Sequence, residues 1–254
     1  MTFEIDRKDL IEGLGKGLKV IEAFDDDHPR LTASETAALT GLSRTAARRF
    51  LLSLCHFGYA ATDGKHFWLA PRVLRLGQSY LGAARLPRLV QPFIQRASMQ
   101  SGETVNMSVL DGHEVVYVAR SNPPRYVSIG YQVGVRVPAH VVTPGFAILS
   151  TLSDEALDGW IAEHEFASFT SHTITDTATF RANVLGAREL GYWMTEQHLD
   201  PGLRGIALPL KDRKGECRGA IGMTLQAQAY SSESMVEKLL PLLREAATSL
   251  RPLL

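Results

Sequence analysis

The amino-acid sequence predicts an α+β protein built from two domains. Helical periodicity and helix-capping patterns dominate the chain up to about residue 101, and strand-forming segments rich in valine and threonine become frequent after it. Several of these segments occur in pairs joined by short polar turns, which is typical of antiparallel hairpins. We therefore expect a small, mostly helical amino-terminal domain, followed by a mixed, mostly antiparallel sheet with flanking helices.

The composition is that of an ordinary globular chain. Of the 254 residues, 45% are hydrophobic and 21% are charged, which is enough to bury a core. No apolar run approaches the roughly 20 residues that span a bilayer, and the amino terminus lacks the apolar core of a signal peptide. We therefore expect a cytoplasmic protein with no membrane partner. Cys55 and Cys217 lie far apart in the sequence and predict buried thiols, not a disulfide or a metal site.

The segment from Ser43 to Leu54 predicts a helix with one apolar and one cationic face. Ala47, Leu51 and Leu54 recur at the spacing of one helical face, and Ser43 is a favourable N-cap. The opposite face carries Arg44, Thr45, Arg48 and Arg49. These side chains fall in the first two turns, the part of a recognition helix that reaches bases and phosphates in a major groove. For this stretch alone, a solvated basic face on an ordinary helix is the alternative.

The flanking sequence favours the DNA-binding interpretation. Thr32-Ala-Ser-Glu is a capping-box pattern that begins a short helix, and Gly41 ends it, so the two helices form a helix-turn-helix. A hairpin turning at Asp63-Gly64 adds a wing, with Lys65 near its tip. Between residues 40 and 75 there are six cationic side chains and one carboxylate, although the formal net charge of the whole chain is zero. Such local asymmetry is typical of nucleic-acid-binding proteins. We expect Ser43 and the four side chains of the cationic face to contact DNA, and Lys65 to touch its backbone.

The remaining elements follow from periodicity and turn residues. A first helix is predicted from about Lys16 to the acidic run at Asp25, and Pro71 opens a linker helix that ends near residue 84. The predicted strands of the second domain cover residues 104–110, 113–120, 126–130, 206–210 and 220–225, with a loop at 134–145. Further helices are predicted at 87–101, 146–152, from 153, at 179–190, and from 235 with a break at Pro241. The corresponding domain boundaries are 1–70, 71–86 for the linker helix, and 87–254.

The common catalytic patterns are missing from the sequence. No GxSxG pentapeptide occurs, and His164-Glu165 is not followed by the second histidine of HExxH. The sequence therefore predicts a binding protein that is not an enzyme and needs no cofactor. Among the eight dispersed histidines, His140 deserves testing because it lies in the loop between Pro138 and Gly145.

Several segments resemble the IclR family of bacterial transcription factors. They are the Gly-Leu-x-Val-Ile-x-x-Phe helix at Gly17, the Gly-Leu-Ser-Arg-Thr-Ala-Ala-Arg-Arg-Phe-Leu run at Gly41, and the Leu-Ala-Pro-Arg-Val-Leu-Arg-Leu-Gly linker at Leu69. The Ala-Ala-Arg-Arg-Phe-Leu string, with the segments that begin at Gly202 and Leu240, is most similar to the subgroup that regulates protocatechuate and 4-hydroxybenzoate catabolism.

The resemblance implies a fold and a set of partners. It implies an N-terminal winged helix-turn-helix joined by a linker helix to a C-terminal GAF/PAS-like domain. It also implies dimers, often paired into tetramers, on palindromic operators in double-stranded DNA. The effector is expected to be a small organic acid bound in the C-terminal domain, with protocatechuate and 4-hydroxybenzoate as the candidates. Alternatives are a non-aromatic metabolite, or a metabolite-binding module whose winged domain contacts protein and not DNA.

The resemblance also implies effector-binding positions. Carried over by motif, they are His140, Thr143, Pro144, Gly145, Thr195, Glu196, Gly205, Gly222 and Thr224. Most relatives have a Ser-Met-Gly-Arg-like run where this chain has Thr143-Pro-Gly-Phe, so its effector can differ from that of the subgroup.

A carboxylate ligand would need specific donors. These are backbone N–H groups at a helix start, hydroxyls or an arginine. Thr143-Pro-Gly would supply the first two. Arg136 and Arg204 are candidates for the third, with a structural salt bridge as the alternative for each. Met107 and Tyr117 are candidates for the walls around a ring, with a place in the core as the alternative.

Overall fold

The computed structural model describes residues 5–123 and 130–254. The chain divides into two compact units, residues 1–80 and 81–254. The α+β architecture is confirmed. The boundaries proposed from the sequence stay a prediction, and residues 126–129 of the strand expected at 126–130 lie outside the described ranges.

The first unit is a winged helix-turn-helix. Its helices are α1 (Glu12–Glu22), α2 (Ala33–Thr40) and α3 (Arg44–His56). Its strands are β1 (Leu31–Thr32), β2 (Ala60–Thr62) and β3 (His66–Leu69), which pair antiparallel in the order β1-β3-β2. Val20, Leu51 and Phe67 bring α1, α3 and β3 into one core. The helix α1 begins before Lys16, the start expected from the sequence.

Local hydrogen bonds explain where α2 and α3 begin and end. Thr32 Oγ1 accepts from the Glu35 N–H at 3.3 Å, and the Glu35 carboxylate accepts from the Thr32 N–H at 2.7 Å. This is the predicted capping box. Gly41 ends α2 with a left-handed φ of 70°, and Ser43 Oγ accepts from the Ala46 N–H at 3.2 Å to begin α3. The turn between the helices is therefore set by side chains next to it in the sequence.

The second unit is built on a six-stranded sheet. Its strands are β4 (Thr104–Asp111), β5 (Glu114–Ser121), β6 (Arg136–Pro138), β7 (Trp193–Glu196), β8 (Leu203–Lys211) and β9 (Cys217–Gln226). Their order is β6-β5-β4-β9-β8-β7, and every described pairing is antiparallel. The helix α4 (Leu74–Ala83) begins in the first unit, and the helices that lie wholly in the second are α5 (Arg85–Ser101), α6 (Thr143–Leu149), α7 (Asp154–Glu163), α8 (Thr177–Leu190), α9 (Ser232–Lys238) and α10 (Leu240–Leu250). The helix α4 carries the chain from the first unit into the second.

Helices cover both faces of this sheet. On one face, α5 and α10 pack through residues such as Ile94 and Leu243 against the strands. On the other face, Phe146 of α6, Leu157 of α7 and Phe180 of α8 form a second cluster. The predicted restart of the closing helix is confirmed: α9 ends at Lys238, and α10 begins at Leu240 with Pro241 in its first turn.

Two short strands and the cysteines correct the sequence-based expectations. β6 occupies part of the segment predicted as a loop at 134–145, and β7 was not predicted. Both are edge strands of three or four residues, too short to show a clear alternation. Cys55 and Cys217 are free but half-buried, not fully buried. Over the described ranges, no helix is both long and apolar enough to cross a membrane.

A cluster formed by His113, His140 and His164 packs beside α7. His164 Nε2 lies 2.7 Å from His140 Nδ1, and His140 Nε2 lies 2.9 Å from the Ala167 carbonyl oxygen. Because a carbonyl only accepts, His140 donates from Nε2 and accepts at Nδ1 from His164. The Trp160 ring stacks on His164 with centroids 4.4 Å apart. Burial, together with His140 and His113, lowers the pKa of His164 to about 4.

The histidine cluster predicts a loss of stability in mild acid. The unfolded chain binds a proton at His164 near its ordinary pKa, whereas the folded chain resists protonation down to pH of about 4. The free energy of unfolding should therefore fall as the pH drops through this window. Thermal unfolding at a series of pH values should show this fall, and His164→Gln should reduce its steepness. His56→Gln, at an exposed position on α3, is the control. An equal pH dependence in the wild type and His164→Gln would contradict the assignment.

The capping box predicts a second stability effect. Thr32→Ala removes the hydroxyl that accepts from the Glu35 N–H and should cost about 1 kcal/mol of unfolding free energy. Urea unfolding followed by circular dichroism measures this change. Ser34→Ala, which removes an exposed hydroxyl from the same helix, should change the stability much less. If both variants lose the same stability, the cap is not the cause.

Candidate functional site

The first candidate site is the exposed face at the start of α3. The four side chains predicted to form it border one shallow depression of the surface, and all are exposed: Arg44, Thr45, Arg48 and Arg49. Ala47 and Leu51 on the opposite face are fully buried. The predicted amphipathic helix is therefore confirmed. The hydroxyl of Ser43 accepts from the Ala46 N–H, so its observed role is to begin the helix that presents the arginines.

Lys65 lies at the tip of the wing. It is exposed in the turn between β2 and β3. Asp63 Oδ1 accepts from the backbone N–H groups of Lys65 at 2.9 Å and His66 at 2.7 Å. These bonds lower the pKa of Asp63 to about 2. The carboxylate of the wing is therefore used to hold the turn that presents Lys65.

The second candidate site is a cavity against the sheet of the second unit. About 500 Å³ of space lies between its walls, and this space includes open solvent. Six residues predicted from the resemblance line it: Thr143, Pro144, Thr195, Gly205, Gly222 and Thr224. The sequence analysis also considered Tyr117 and Arg204, which border the cavity. Bordering residues that it missed are Asn106, Ser108, Tyr131, Val141, Val142, Gln197, His198, Leu199, Asp200, Leu203, Ile206 and Met223.

Three predicted effector residues lie outside this lining because of ion pairs or core packing. Arg136 binds Asp111 at 2.8 Å and Glu114 at 2.7 Å, so the salt-bridge alternative describes it. Glu196 pairs with Arg204 at 2.6 Å. Met107 is fully buried in the cluster that faces α5 and α10, because strand alternation turns it away from Asn106 and Ser108.

Arg204 borders the cavity with both terminal nitrogens of its guanidinium engaged, while its buried Nε has no partner among the described residues. Strand alternation places its side chain on the opposite face of β8 from Gly205. Besides pairing with Glu196, it donates to the Tyr230 carbonyl oxygen. Its observed contacts therefore fit the salt-bridge alternative as well.

Gly145 and His140 also lie outside the lining. A Cβ atom at Gly145 would overlap the Ala139 carbonyl oxygen, so a glycine lets α6 approach the turn before it. His140 belongs to the histidine cluster and is fully buried. In the part of the chain that the structure describes, no group of three or more potential ligands is arranged to hold a metal ion.

A pair of threonine hydroxyls forms one polar wall of the cavity. Thr143 Oγ1 and Thr195 Oγ1 lie 2.5 Å apart. They meet above Gly205, where any Cβ atom would overlap the Thr143 hydroxyl. Two hydroxyls that share one hydrogen bond keep one proton for another acceptor. The pair can therefore donate to a ligand carboxylate.

The backbone at the start of α6 offers fewer donors than expected. The helix begins at Thr143 itself. Pro144 has no N–H group, and the Gly145 N–H donates to the Val142 carbonyl oxygen at 3.0 Å. The side chains of this segment therefore contribute more to the cavity than its backbone.

Two tyrosines and an aspartate form another polar wall. The Tyr131 hydroxyl donates to the Asp200 carboxylate, and the Tyr117 and Tyr131 rings lie with centroids 5.2 Å apart. Burial raises the pKa of both phenols, and the charge of Asp200 raises them further. Both hydroxyls therefore keep their protons at neutral pH and act as hydrogen-bond donors.

A β-bulge sets which side chains of β5 face the cavity. Met107 is opposite Ala119 and Ser108 is opposite Tyr117, which leaves Val118 as an extra residue. As a result, Tyr117 and Arg120 project from the same face although three positions separate them. Arg120 donates to the Tyr131 carbonyl oxygen and, at 2.8 Å, to Asn122 Oδ1. Because of the bulge, Tyr117 lines the cavity while Arg120 contacts the backbone of Tyr131.

Family models and individual relatives agree on what this chain is similar to. The model of the IclR helix-turn-helix domain matches residues 13–64, and the model of the bacterial transcriptional regulator IclR C-terminal domain matches residues 78–251. The p-hydroxybenzoate hydroxylase transcriptional activator of Acinetobacter baylyi is 39% identical, with 98% of this chain and 94% of the relative covered. The Pca operon regulatory protein of the same organism is 31% identical, with 98% and 91% covered.

A solved structure extends the similarity to the cavity-bearing unit. It is a double mutant of the inducer-binding domain of the PobR transcription factor from Acinetobacter, in complex with 3-hydroxybenzoic acid. It is 34% identical with a TM-score of 0.64, and the match covers 67% of this chain and 100% of that chain. Together with the two domain matches and the full-length relatives, it shows that this chain belongs to the IclR family of bacterial transcriptional regulators.

Proposed function

We propose that this chain is an effector-responsive regulator of an operon for aromatic-acid catabolism. In this proposal the winged unit binds a palindromic operator and the cavity binds a small aromatic acid. The chain acts in the cytoplasm and catalyses no reaction. The observation that carries the DNA-binding part is the exposed cationic face of α3, and the observation that carries the effector part is the cavity with its hydroxyl donors.

The face of α3 has the chemistry of a major-groove reader. Arg44, Arg48 and Arg49 are exposed within the first two turns of a helix whose other face is packed in the core. Arginine suits both guanine edges and phosphates because its guanidinium donates in two parallel directions. Lys65 on the wing would contact the DNA backbone. A palindromic operator needs one such helix per half-site, so we propose a homodimer that can pair further into a tetramer.

Arg48→Ala tests the role of this face. The variant should lose about 1 kcal/mol or more of operator-binding free energy, and its affinity should depend less steeply on salt, because one cationic contact is lost. Fluorescence anisotropy with DNA from upstream of its own gene and the adjoining operon, at two salt concentrations, measures both quantities. Arg96→Ala, an exposed arginine on α5, is the matched control. Unchanged operator affinity in Arg48→Ala would refute the role of Arg48, and salt-independent binding would favour a protein partner.

The cavity has the polar and apolar groups that an aromatic acid needs. Val141, Val142 and Leu199 supply apolar surface for a ring. The Thr143–Thr195 pair supplies a hydroxyl donor for a carboxylate, and it is the favoured place for the negative charge because Asp200 would repel that charge on its own side. Relatives named for p-hydroxybenzoate hydroxylase and for the Pca operon support 4-hydroxybenzoate or protocatechuate as the effector.

Effector binding should change the affinity of the chain for its operator. Coupling between two sites of one protein is typically worth about 1–3 kcal/mol. Anisotropy titrations with and without each acid measure this coupling directly. A change with 4-hydroxybenzoate or protocatechuate would support the proposed effector class. DNA binding that responds to neither acid would keep the regulator and overturn that class.

Thr195→Val tests the hydroxyl pair. The variant keeps the shape of the side chain and removes its hydroxyl, so the affinity for 4-hydroxybenzoate and protocatechuate should fall about tenfold. Isothermal titration calorimetry of the full chain measures it. Thr40→Val makes the same chemical change at the end of α2, outside the cavity lining, and should leave the affinity unchanged. Equal binding by Thr195→Val and the wild type would remove the pair from the binding site.

A further inference from the structure

Asn106 carries a buried amide oxygen that the fold leaves unpaired. The residue is 3% exposed and borders the cavity. Its Oδ1 atom is enclosed and has no hydrogen-bond partner within the residues that the structure describes. Buried polar side-chain atoms are nearly always paired in folded proteins, so an exception needs an explanation.

The sheet register explains why the amide oxygen has no protein partner. Asn106 lies directly between Gly222 on β9 and Arg120 on β5. Gly222 has no side chain to offer, and the Arg120 guanidinium reaches the Tyr131 carbonyl oxygen and Asn122 Oδ1. Strand alternation directs Asn106 to the same face as Ser108 and Thr224. The amide is therefore directed to the cavity face with no neighbour across the strand to satisfy it.

The unpaired atom defines the chemistry of its missing partner. An amide oxygen accepts hydrogen bonds and cannot donate them, so its partner must carry a proton. A benzoate carboxylate has lost its proton at neutral pH, whereas a phenolic hydroxyl keeps its own. The terminal torsion of asparagine is soft, so the amide can turn its oxygen toward a ligand. The carboxylate of Asp200, another acceptor in the lining, already accepts from Tyr131.

The position of Asn106 fits the orientation of the ligand in the proposed function. Asn106 lies on β4, two strands away from Gly205 on β8, above which the Thr143–Thr195 pair meets. Two strand spacings are roughly 10 Å, and Gly205 lies two residues along β8 from Ala207, which is level with Asn106, so the backbone separation is roughly 12 Å. The side chain of Asn106 and the threonine pair each project into the cavity and shorten this distance. One aromatic ring with a polar group at either end can then bridge the remaining gap. A carboxylate at the threonine pair would then direct the opposite end of the ring toward Asn106.

We propose that Asn106 selects effectors that carry a hydroxyl on the aromatic ring, by accepting a hydrogen bond from that hydroxyl. This inference rests on the proposed function, because it requires an aromatic acid in the cavity. It goes further in assigning the selection between hydroxylated and unsubstituted acids to one residue. A site built to bind a hydroxyl rejects the analogue that lacks it, since its own polar group is then left unpaired.

Calorimetric titration of the full chain with four acids tests the assignment. The acids are 4-hydroxybenzoate, 4-aminobenzoate, 4-fluorobenzoate and benzoate. The first two can donate a hydrogen bond from the ring substituent, whereas the last two cannot. The wild type should bind 4-hydroxybenzoate at least about tenfold more tightly than benzoate, with 4-aminobenzoate above 4-fluorobenzoate. In Asn106→Leu this preference should vanish, and in the matched control Asn183→Leu on α8 it should persist.

Thermal unfolding without ligand separates a binding role from a structural one. Because the amide oxygen makes no bond in the fold, Asn106→Leu should unfold at the same temperature as the wild type or higher. A lower unfolding temperature in both Asn106→Leu and Asn106→Ala would indicate a structural role and overturn the inference. Asn106→Ala provides the same titration if the leucine variant does not fold.

The outcomes distinguish this inference from the function on which it rests. If Asn106→Leu still prefers 4-hydroxybenzoate to benzoate, Asn106 does not select the hydroxyl, although the cavity still binds aromatic acids. If the wild type binds benzoate as tightly as 4-hydroxybenzoate, the inference fails in the same way. If the wild type binds none of the four acids, the aromatic effector is wrong and the inference falls with it.

Discussion

The backbone pairing of β4 with its two neighbours decides which side chains reach the cavity. Side chains alternate between the faces of a strand, so a shift of one residue in register would exchange the cavity face with the core face. The observed register with β9 directs Asn106 and Ser108 to the cavity and Met107 to the core. On the β5 side, Val118 is one extra residue in a bulge, so Tyr117 and Arg120 both lie opposite the cavity-facing side chains of β4. The polar surface of the site therefore depends on two ladders of backbone hydrogen bonds.

Close backbone approach is the second constraint on the site. Gly205 leaves room for the Thr143 hydroxyl, and Gly145 leaves room for the Ala139 carbonyl group. At both positions, the Cβ atom of any larger residue would overlap the neighbouring oxygen. They hold α6 against β8 and against the turn before it, so the Thr143–Thr195 pair has little freedom to move. A preorganised donor of this kind binds without first having to be ordered.

The winged unit could be predicted from the sequence because its determinants are local. The capping box at Thr32, the left-handed Gly41 and the N-cap Ser43 each act within about four residues, and all three are present in the structure. The amphipathic pattern of α3 likewise needs only its own sequence. Residue patterns alone were therefore enough to separate the cationic face from the core face.

The cavity could be predicted only in part, because its contacts join distant segments. Tyr131 binds Asp200 across 69 positions of sequence, and no local pattern connects them. Arg136 and Glu196 have the charge that a ligand site often uses, yet each is occupied by an ion pair. The alternation of polar and apolar residues from 104 to 110 did contain a usable signal, since Asn106 and Ser108 share its polar side. The sequence does not show which strands pair with this segment, and that pairing determines whether its polar side faces solvent or a cavity.

The Asp200 carboxylate makes the two polar walls of the cavity electrostatically different, and this difference affects which acids the cavity can accept. One wall offers neutral hydroxyl donors at Thr143 and Thr195, and another carries a negative charge next to Tyr131. A monoanion can place its charge at the first wall, but a dianion of the same length would place a second charge near Asp200, where a low dielectric strengthens the repulsion. Oxidative cleavage of an aromatic ring creates new carboxylates. If the cavity binds an aromatic acid as proposed, it would favour a monoanion with an intact ring over the multiply charged acids formed once that ring has been opened.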